Sequence, residues 1–309
     1  MEAQWSIGTL IKNIREKQNI TQANLCRGLC SPSSMNRFES GERDMGMLMA
    51  FRIFQRLGYT LEGFELYVSN TELEQYEHRI VIEQYKDAGD IIGIKQALHD
   101  YQLKWMDDDP LQQQFIKGME SYIHVQEGNI DIGIAELELA LELTVPEHTK
   151  SLQRATLIGE DELKLFNMLA CAYETAGKSI KAFKIRERIM DYLEFNEIKK
   201  DQRIKLYVEV ACELVPGLFE MGRIDECFEL CENGIETLSQ RNRIFYWAEL
   251  LFWKAKCLES MYSKQKVERE SVVKAFQKAY YIADLLGNEE LTSQVWHHLK
   301  EEYECECII

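Results

Sequence analysis

The chain has 309 residues, of which 46% are hydrophobic and 28% charged, and its formal net charge is −16 at pH 7. It is long and apolar enough to bury the cores of two domains. Its four prolines and lack of long Gly/Ser runs argue against disordered linkers. Because it begins without a signal peptide and no apolar run is long enough to span a membrane, we expect a cytoplasmic protein without a membrane partner.

The first predicted element is an amphipathic helix over residues 7–18, where Ile7, Leu10, Ile11 and Ile14 recur at helical spacing. A second, short helix is predicted from Gln22, because the hydroxyl of Thr21 suits the position that caps a helix start.

A third helix is predicted from Pro32 to about residue 39, capped by Ser31 and ended by Gly41. Met35 and Phe38 would face the core. The opposite face would present Ser33, Ser34, Asn36 and Arg37. A short outward-facing helix with hydroxyl, amide and guanidinium groups fits a DNA major groove.

Residues 7–67 resemble the helix-turn-helix domain of the XRE and lambda-repressor type, in the form found in peptide-responsive regulators of the Rgg and PlcR type. The resemblance implies a buried ion pair between Arg15 and Glu39 and places Gln22 beside a DNA phosphate. Pro32 departs from the pattern, since relatives often carry a polar base-contacting residue there. The candidate DNA-binding residues are Gln22, Ser33, Ser34, Asn36, Arg37 and Arg43.

A fourth helix is predicted over residues 45–57 and a fifth over 60–67, which completes a five-helix lambda-repressor-like domain over residues 1–68. The boundary is predicted at the polar break of residues 69–71. Residues 1–68 carry a formal charge of +1 and the remainder −17. Such a domain would bind DNA modestly alone, so we expect a homodimer that places two copies on a palindromic operator.

Residues 69–309 show helical periodicity without strand-like alternation. Gly89, Gly128, Gly177 and Gly222 each separate two predicted helices, at the spacing of a helical-hairpin repeat. About five helix pairs and a capping helix over residues 288–303 are predicted. Such pairs stack into a solenoid because none can bury its apolar face alone. The whole chain is therefore predicted to be all-α.

One repeat is similar to the tetratricopeptide pattern, through Phe166, Leu169, Ala170, Tyr173, Gly177 and Ala182. The resemblance implies a right-handed solenoid that dimerises and binds a short signalling peptide in its concave groove. Laid on this sequence, the pattern places these candidate peptide-binding residues on that face: Arg79, Lys86, Met119, Tyr122, Asn167, Glu174 and Glu213. Asn167 is the strongest candidate, because an amide can pair with both backbone groups of a peptide residue.

No set of residues indicates catalysis, a cofactor or a metal site, so we expect a protein that is not an enzyme. The nine cysteines fall mostly on predicted helix faces and are expected to be free thiols, while Cys305 and Cys307 could have a redox role.

The sequence predicts a DNA-binding transcription regulator controlled by a short peptide. The alternative is an interaction adaptor whose helix-turn-helix no longer reads DNA, which Pro32 and the weak basic charge of the first domain slightly favour.

Overall fold

The computed structural model describes residues 7–59, 70–105, 109–148, 157–195, 201–241, 243–264 and 267–304. These residues form fifteen α-helices and contain no strand, which confirms the all-α prediction. The chain divides into two compact units, Met1–Asn196 and Glu197–Ile309. Each unit is described by itself.

The first unit begins with four helices that we call the head. They are α1 (Ile7–Lys17), α2 (Gln22–Leu25), α3 (Pro32–Glu39) and α4 (Met47–Arg56). Their apolar faces form one core that includes Ile11, Leu25, Met35 and Phe54. The predicted fifth helix over residues 60–67 and the predicted boundary at 68/69 lie outside the described residues, and both stay predictions.

Local signals set the start and end of α2 and α3. The hydroxyl of Thr21 accepts the backbone N–H of Asn24, and that of Ser31 accepts the N–H of Ser34. After α3, Gly41 takes a φ of 74°, which side chains rarely adopt, so the chain can leave the helix there. The fourth helix starts two residues later than predicted, because Gly46 is extended and the helix begins after it.

Three helix pairs complete the first unit. The pairs are α5 (Asn70–Asp87) with α6 (Ile91–Trp105), α7 (Pro110–Gln126) with α8 (Ile130–Thr144), and α9 (Glu160–Thr175) with α10 (Ser179–Phe195). Ile82, Ile94 and Tyr101 are buried between the first pair and its neighbour α7. Each pair therefore covers the apolar face of the next, as predicted for a repeat array.

The second unit holds two further pairs and a last helix. They are α11 (Asp201–Glu220) with α12 (Ile224–Gln240), α13 (Trp247–Ser263) with α14 (Arg269–Leu285), and α15 (Glu289–Tyr303). Phe276 and Val295 lie in the core that α13, α14 and α15 share. The last helix therefore covers the apolar face that α14 would otherwise expose.

Packing of α1 against the end of α3 leaves no room for a side chain at Gly8. A Cβ there would lie 1.7 Å from the backbone oxygen of Phe38. We expect Gly8→Ala to force these helices apart and to cost more than about 2 kcal/mol of stability, because backbone atoms cannot move aside as a side chain can. The measurement is the thermal midpoint of the full chain by calorimetry.

Asn13→Ala is the matched control, since Asn13 is exposed on the same helix. It should leave the midpoint unchanged or raise it slightly, because alanine favours helix. Equal midpoints for the two variants would contradict the close α1–α3 contact.

Candidate functional site

Helix α3 presents a polar face at the surface of the head. Ser33, Asn36 and Arg37 are exposed, while Met35 and Phe38 on the opposite side are buried. Ser34 is half-buried, and its hydroxyl lies 3.0 Å from that of Ser31. The exposed candidates of α3 thus share one face and are free of the core.

Arg43 follows α3 and lies beside its last turn. Its guanidinium stacks over the ring of Phe38 at 5.5 Å, and its backbone N–H donates to the carbonyl of Arg37. The side chain is exposed at the same end of the helix as Arg37. The structure therefore brings two guanidinium groups to one end of the polar face.

A buried carboxylate ties together the three helices that hold this face. Glu39 accepts from Nε and Nη2 of Arg15 at 2.7 and 2.9 Å and from Nε2 of Gln22 at 2.6 Å. Hydrogen bonding to Glu39 raises the pKa of Arg15 further above its usual value. The two-point geometry fixes the angle between α1 and α3 as well as their distance.

Gln22 is half-buried and engaged by Glu39, so its amide N–H group is committed inside the head. Its predicted contact with a DNA phosphate stays a prediction.

A second carboxylate, Glu162 in the first turn of α9, meets the head from the repeats. Nη2 of Arg56 in α4 donates to Oε1 of Glu162 at 2.8 Å and to the carbonyl of Thr144 at 2.9 Å. Nη1 of the same guanidinium donates to the carbonyls of Leu25 and Arg27. One side chain of α4 therefore joins the turn after α2, the end of α8 and the start of α9.

Arg52, one turn before Arg56, makes the second connection. Its Nη1 lies 3.2 Å from Oε1 of Glu162 and donates to Oε1 of Gln114 in α7 at 2.8 Å. Nε2 of Gln114 donates to the hydroxyl of Thr144, which donates to Glu162. We call these five residues, Arg52, Arg56, Gln114, Thr144 and Glu162, the Glu162 network.

Every member of the Glu162 network is buried, and the Glu162 side chain is fully inaccessible. Burial alone would raise the pKa of Glu162, but Arg56 and Arg52 outweigh it and lower the pKa from 4.5 to about 2. The backbone N–H of Gly159 adds a further hydrogen bond at 2.6 Å. The carboxylate is therefore charged at neutral pH and fully partnered.

The backbone of the head also touches the repeats directly. A Cβ on Gly28, whose φ is 73°, would lie 2.2 Å from the carbonyl oxygen of Thr144. Leu111 of α7 lies in the same core as Ile11 and Leu25 of the head. The head and the repeats of the first unit thus share a packed interface.

Sequence reasoning missed this interface. The available signal was a pair of arginines four residues apart, Arg52 and Arg56, on the strongly apolar helix α4. Such a pair requires buried acceptors. Nothing in the sequence identified Glu162, 106 residues further along, as the acceptor.

Two of the predicted groove residues meet across neighbouring pairs, where the hydroxyl of Tyr122 donates to the backbone carbonyl of Lys86 at 3.4 Å. Arg79 is committed to internal contacts: it donates to the hydroxyl of Tyr101 and to Oε1 of Gln112, and it stacks over Phe115. Its position supports the packing of α5 on α7.

The other groove candidates differ in environment. Met119 and Asn167 are buried, with 5% and 3% of their surface exposed. Glu174 is exposed and pairs with Arg186 at 2.7 Å. Glu213 is half-buried on α11, in the second unit.

Helix α9 also carries an exposed charged group that the sequence did not single out. Nζ of Lys164 lies 2.9 Å from the carboxylate of Glu160. Burial raises the pKa of Glu83 on α5, and the positive charge of Lys164 opposes that rise. Charged side chains of α5 and α9 therefore face each other within the first unit.

Residues 112–304 match the profile of the RNPP family C-terminal domain. No match was found among curated proteins.

Two similar crystal structures are of Bacillus thuringiensis PlcR. The complex of PlcR with the peptide PapR7 and DNA is 20% identical, with a TM-score of 0.57, and the alignment covers 94% of this chain and 98% of PlcR. The apo form is 19% identical, with a TM-score of 0.59 and the same coverage. Streptococcus dysgalactiae Rgg2, an SHP pheromone receptor, is 15% identical, with a TM-score of 0.44 and coverage of 96% and 100%. The likeness to PlcR confirms the predicted fold class.

Within the described ranges, no helix is long and apolar enough to cross a membrane. The same residues contain no group of three or more His, Cys, Asp or Glu side chains placed to hold a metal ion.

Neutralising Glu162 by Glu162→Gln should lower stability by about 3 kcal/mol at neutral pH, because two buried guanidinium groups would lose their counter-charge. The pKa of Glu162 is lower in the folded chain than its ordinary 4.5, so its stabilisation is present above about pH 4.5 and is lost as the pH falls toward 2. Calorimetric melts of parent and variant at several pH values should therefore converge at acid pH.

Asp161→Asn is the matched control, because the half-exposed carboxylate of Asp161 lies 3.5 Å from the same Arg52. It should cost less than about 1 kcal/mol, as solvent screens exposed pairs. A Glu162→Gln chain as stable as the control would show that the network does not hold the head.

Proposed function

Because the chain belongs to the RNPP family, we propose that it is a transcription regulator that binds DNA through α3 and responds to a short signalling peptide held by its helical repeats. The observation that carries the DNA-binding part is the exposed polar face of α3. Ser33, Asn36 and Arg37 point away from a head whose helices are fixed by Glu39. Serine, asparagine and arginine are side chains that read base edges.

The charge of the chain supports action as a homodimer. The sequence gives residues 1–68 a charge of only +1, so one head gains little affinity from phosphates. Two copies on a palindromic operator would double the contact surface and fix the spacing between half-sites.

The peptide-binding part is supported by the fold of PlcR, which has been crystallised with the peptide PapR7 and DNA. We place the peptide site of this chain on the surface formed by α5, α7 and α9. Lys86 and Tyr122 lie together there, and Asn167 lies on α9. Asn167 is only 3% exposed, so we propose that a peptide displaces the groups that cover it and then pairs with both the donor and the acceptor of its amide.

Helix α9 would carry the signal from the peptide to the head. Glu162 in its first turn holds Arg52 and Arg56 of α4, and Asn167 lies five residues further along the same helix. A peptide that binds more tightly to one position of α9 than to another would favour the matching position of the head. The difference between the two binding free energies sets how far this equilibrium shifts.

In a gel-retardation assay with the full chain and a selected operator, Arg37→Ala should weaken DNA binding by about 1–3 kcal/mol and relax the preference at one base position. Arg37 is exposed on α3 and is only loosely paired with Glu42, 3.8 Å away, so its guanidinium is available to contact a base.

Lys205→Ala, an equal loss of charge at an exposed position of α11, is the control and should bind the operator as the parent does. If the parent shows no sequence preference at low salt, the adaptor alternative replaces the regulator.

For the sensing site, we expect Asn167→Ala to weaken the binding of short hydrophobic peptides at least about tenfold, because the peptide backbone would lose two hydrogen bonds. Titration calorimetry of a synthetic peptide set against parent and variant measures the loss.

Asn36→Ala provides the opposite control. Its amide is exposed on α3, so this variant should lose DNA affinity and keep peptide affinity. Unchanged peptide binding by Asn167→Ala would remove Asn167 from the site.

A further inference from the structure

Three cysteines of the second unit meet in its core. Cys227 and Cys231 lie one turn apart on α12, and Cys257 lies on the facing helix α13. All three are fully buried. We call these residues the thiol cluster.

The sulfur atoms of two of them are aimed at each other. Sγ of Cys257 donates to Sγ of Cys227 across 3.1 Å, and the Cys227 thiol lies 3.6 Å from the carbonyl of Val215. A disulfide bond is about 2.05 Å long, so the two sulfurs need to approach by only about 1 Å. Cysteines that serve only as small apolar side chains do not require this alignment.

We propose that Cys227 and Cys257 are an oxidisable pair that forms a reversible disulfide between α12 and α13. This inference is independent of the proposed DNA and peptide functions. The oxidant it calls for is a small peroxide, which can reach the core when the helices open locally.

We assign Cys227 as the sulfur that reacts first, because it is the one in contact with both other thiols of the cluster. Hydrogen bonds from the thiols of Cys231 and Cys257 lower the pKa of Cys227, and they outweigh the effect of burial. The stabilised thiolate is the nucleophilic form of cysteine.

The reaction balances with hydrogen peroxide as the only co-reactant. The thiolate of Cys227 attacks one peroxide oxygen, the O–O bond breaks, and the departing hydroxide takes a proton to become water. The sulfenic acid so formed is attacked by the sulfur of Cys257, which loses its proton. The S–O bond breaks, a second water leaves, and the S–S bond remains.

Proximity determines the product. A sulfenic acid on Cys227 lies beside Cys257 before a second peroxide can enter, so the disulfide forms in preference to the sulfinic acid. The bond would link residues 30 positions apart and join the second helix of one pair to the first helix of the next. Oxidation would therefore reduce the freedom of these two pairs to move against each other.

The test treats the full-length parent with hydrogen peroxide, unfolds it in the presence of an alkylating agent and maps its peptides by mass spectrometry without reductant. The expected result is a Cys227–Cys257 cross-link, with the loss of two alkylatable thiols and their return after dithiothreitol. Recovery of both residues in alkylated form, or cross-links joining either one to Cys231, Cys305 or Cys307 instead, would overturn the proposal.

Two variants sharpen the result. Cys257→Ser should abolish the cross-link and let Cys227 proceed to sulfinic acid, whereas Cys171→Ser, which removes a half-buried thiol of the first unit, should leave the cross-link intact. The cross-link itself is measured in the parent chain, so the test still decides the proposal if a variant fails to fold.

Discussion

The buried carboxylate of Glu162 is the constraint on which the first unit depends. Removing a carboxylate and two guanidinium groups from water costs several kcal/mol for each ion, and their attraction offsets this only when every polar atom is partnered. Arg52, Arg56, Gln114 and Thr144 meet that condition. An interface of this kind tolerates few alternative arrangements, so the head is held in one defined position on the repeats.

Glu39 plays the corresponding part inside the head. It holds α1 and α2 against the end of α3, and Gly8 allows the backbones of α1 and α3 to meet. The two carboxylates together connect α3 to α9, since Glu39 fixes α3 within the head and Glu162 fixes the head on α9. In the proposed signal path, a shift of α9 would therefore move the polar face of α3 through these two contacts.

The all-α fold and the family could be predicted because their signals are local. Thr21, Ser31 and Pro32 define helix starts within a few residues, and helical periodicity marks the repeats. The Glu162 network could not be predicted, because Arg56 and Glu162 are 106 residues apart and no periodicity links them. Burial of Asn167 was missed for a related reason: a repeat pattern predicts the helix face on which a residue lies but not how much of that side chain is exposed.

Burial of Arg52 and Arg56 changes the electrostatics of the proposed DNA recognition. Both count toward the +1 of residues 1–68, yet their charges are balanced by Glu162 and Asp161 of the repeats. Without these two the formal charge of that segment is −1. Because the buried Arg52 and Arg56 cannot contact phosphates, fewer counterions would be released on binding and affinity for an operator would vary less with salt. Selectivity would come from shape and base contacts, with little non-specific attraction to hold the protein elsewhere on the chromosome.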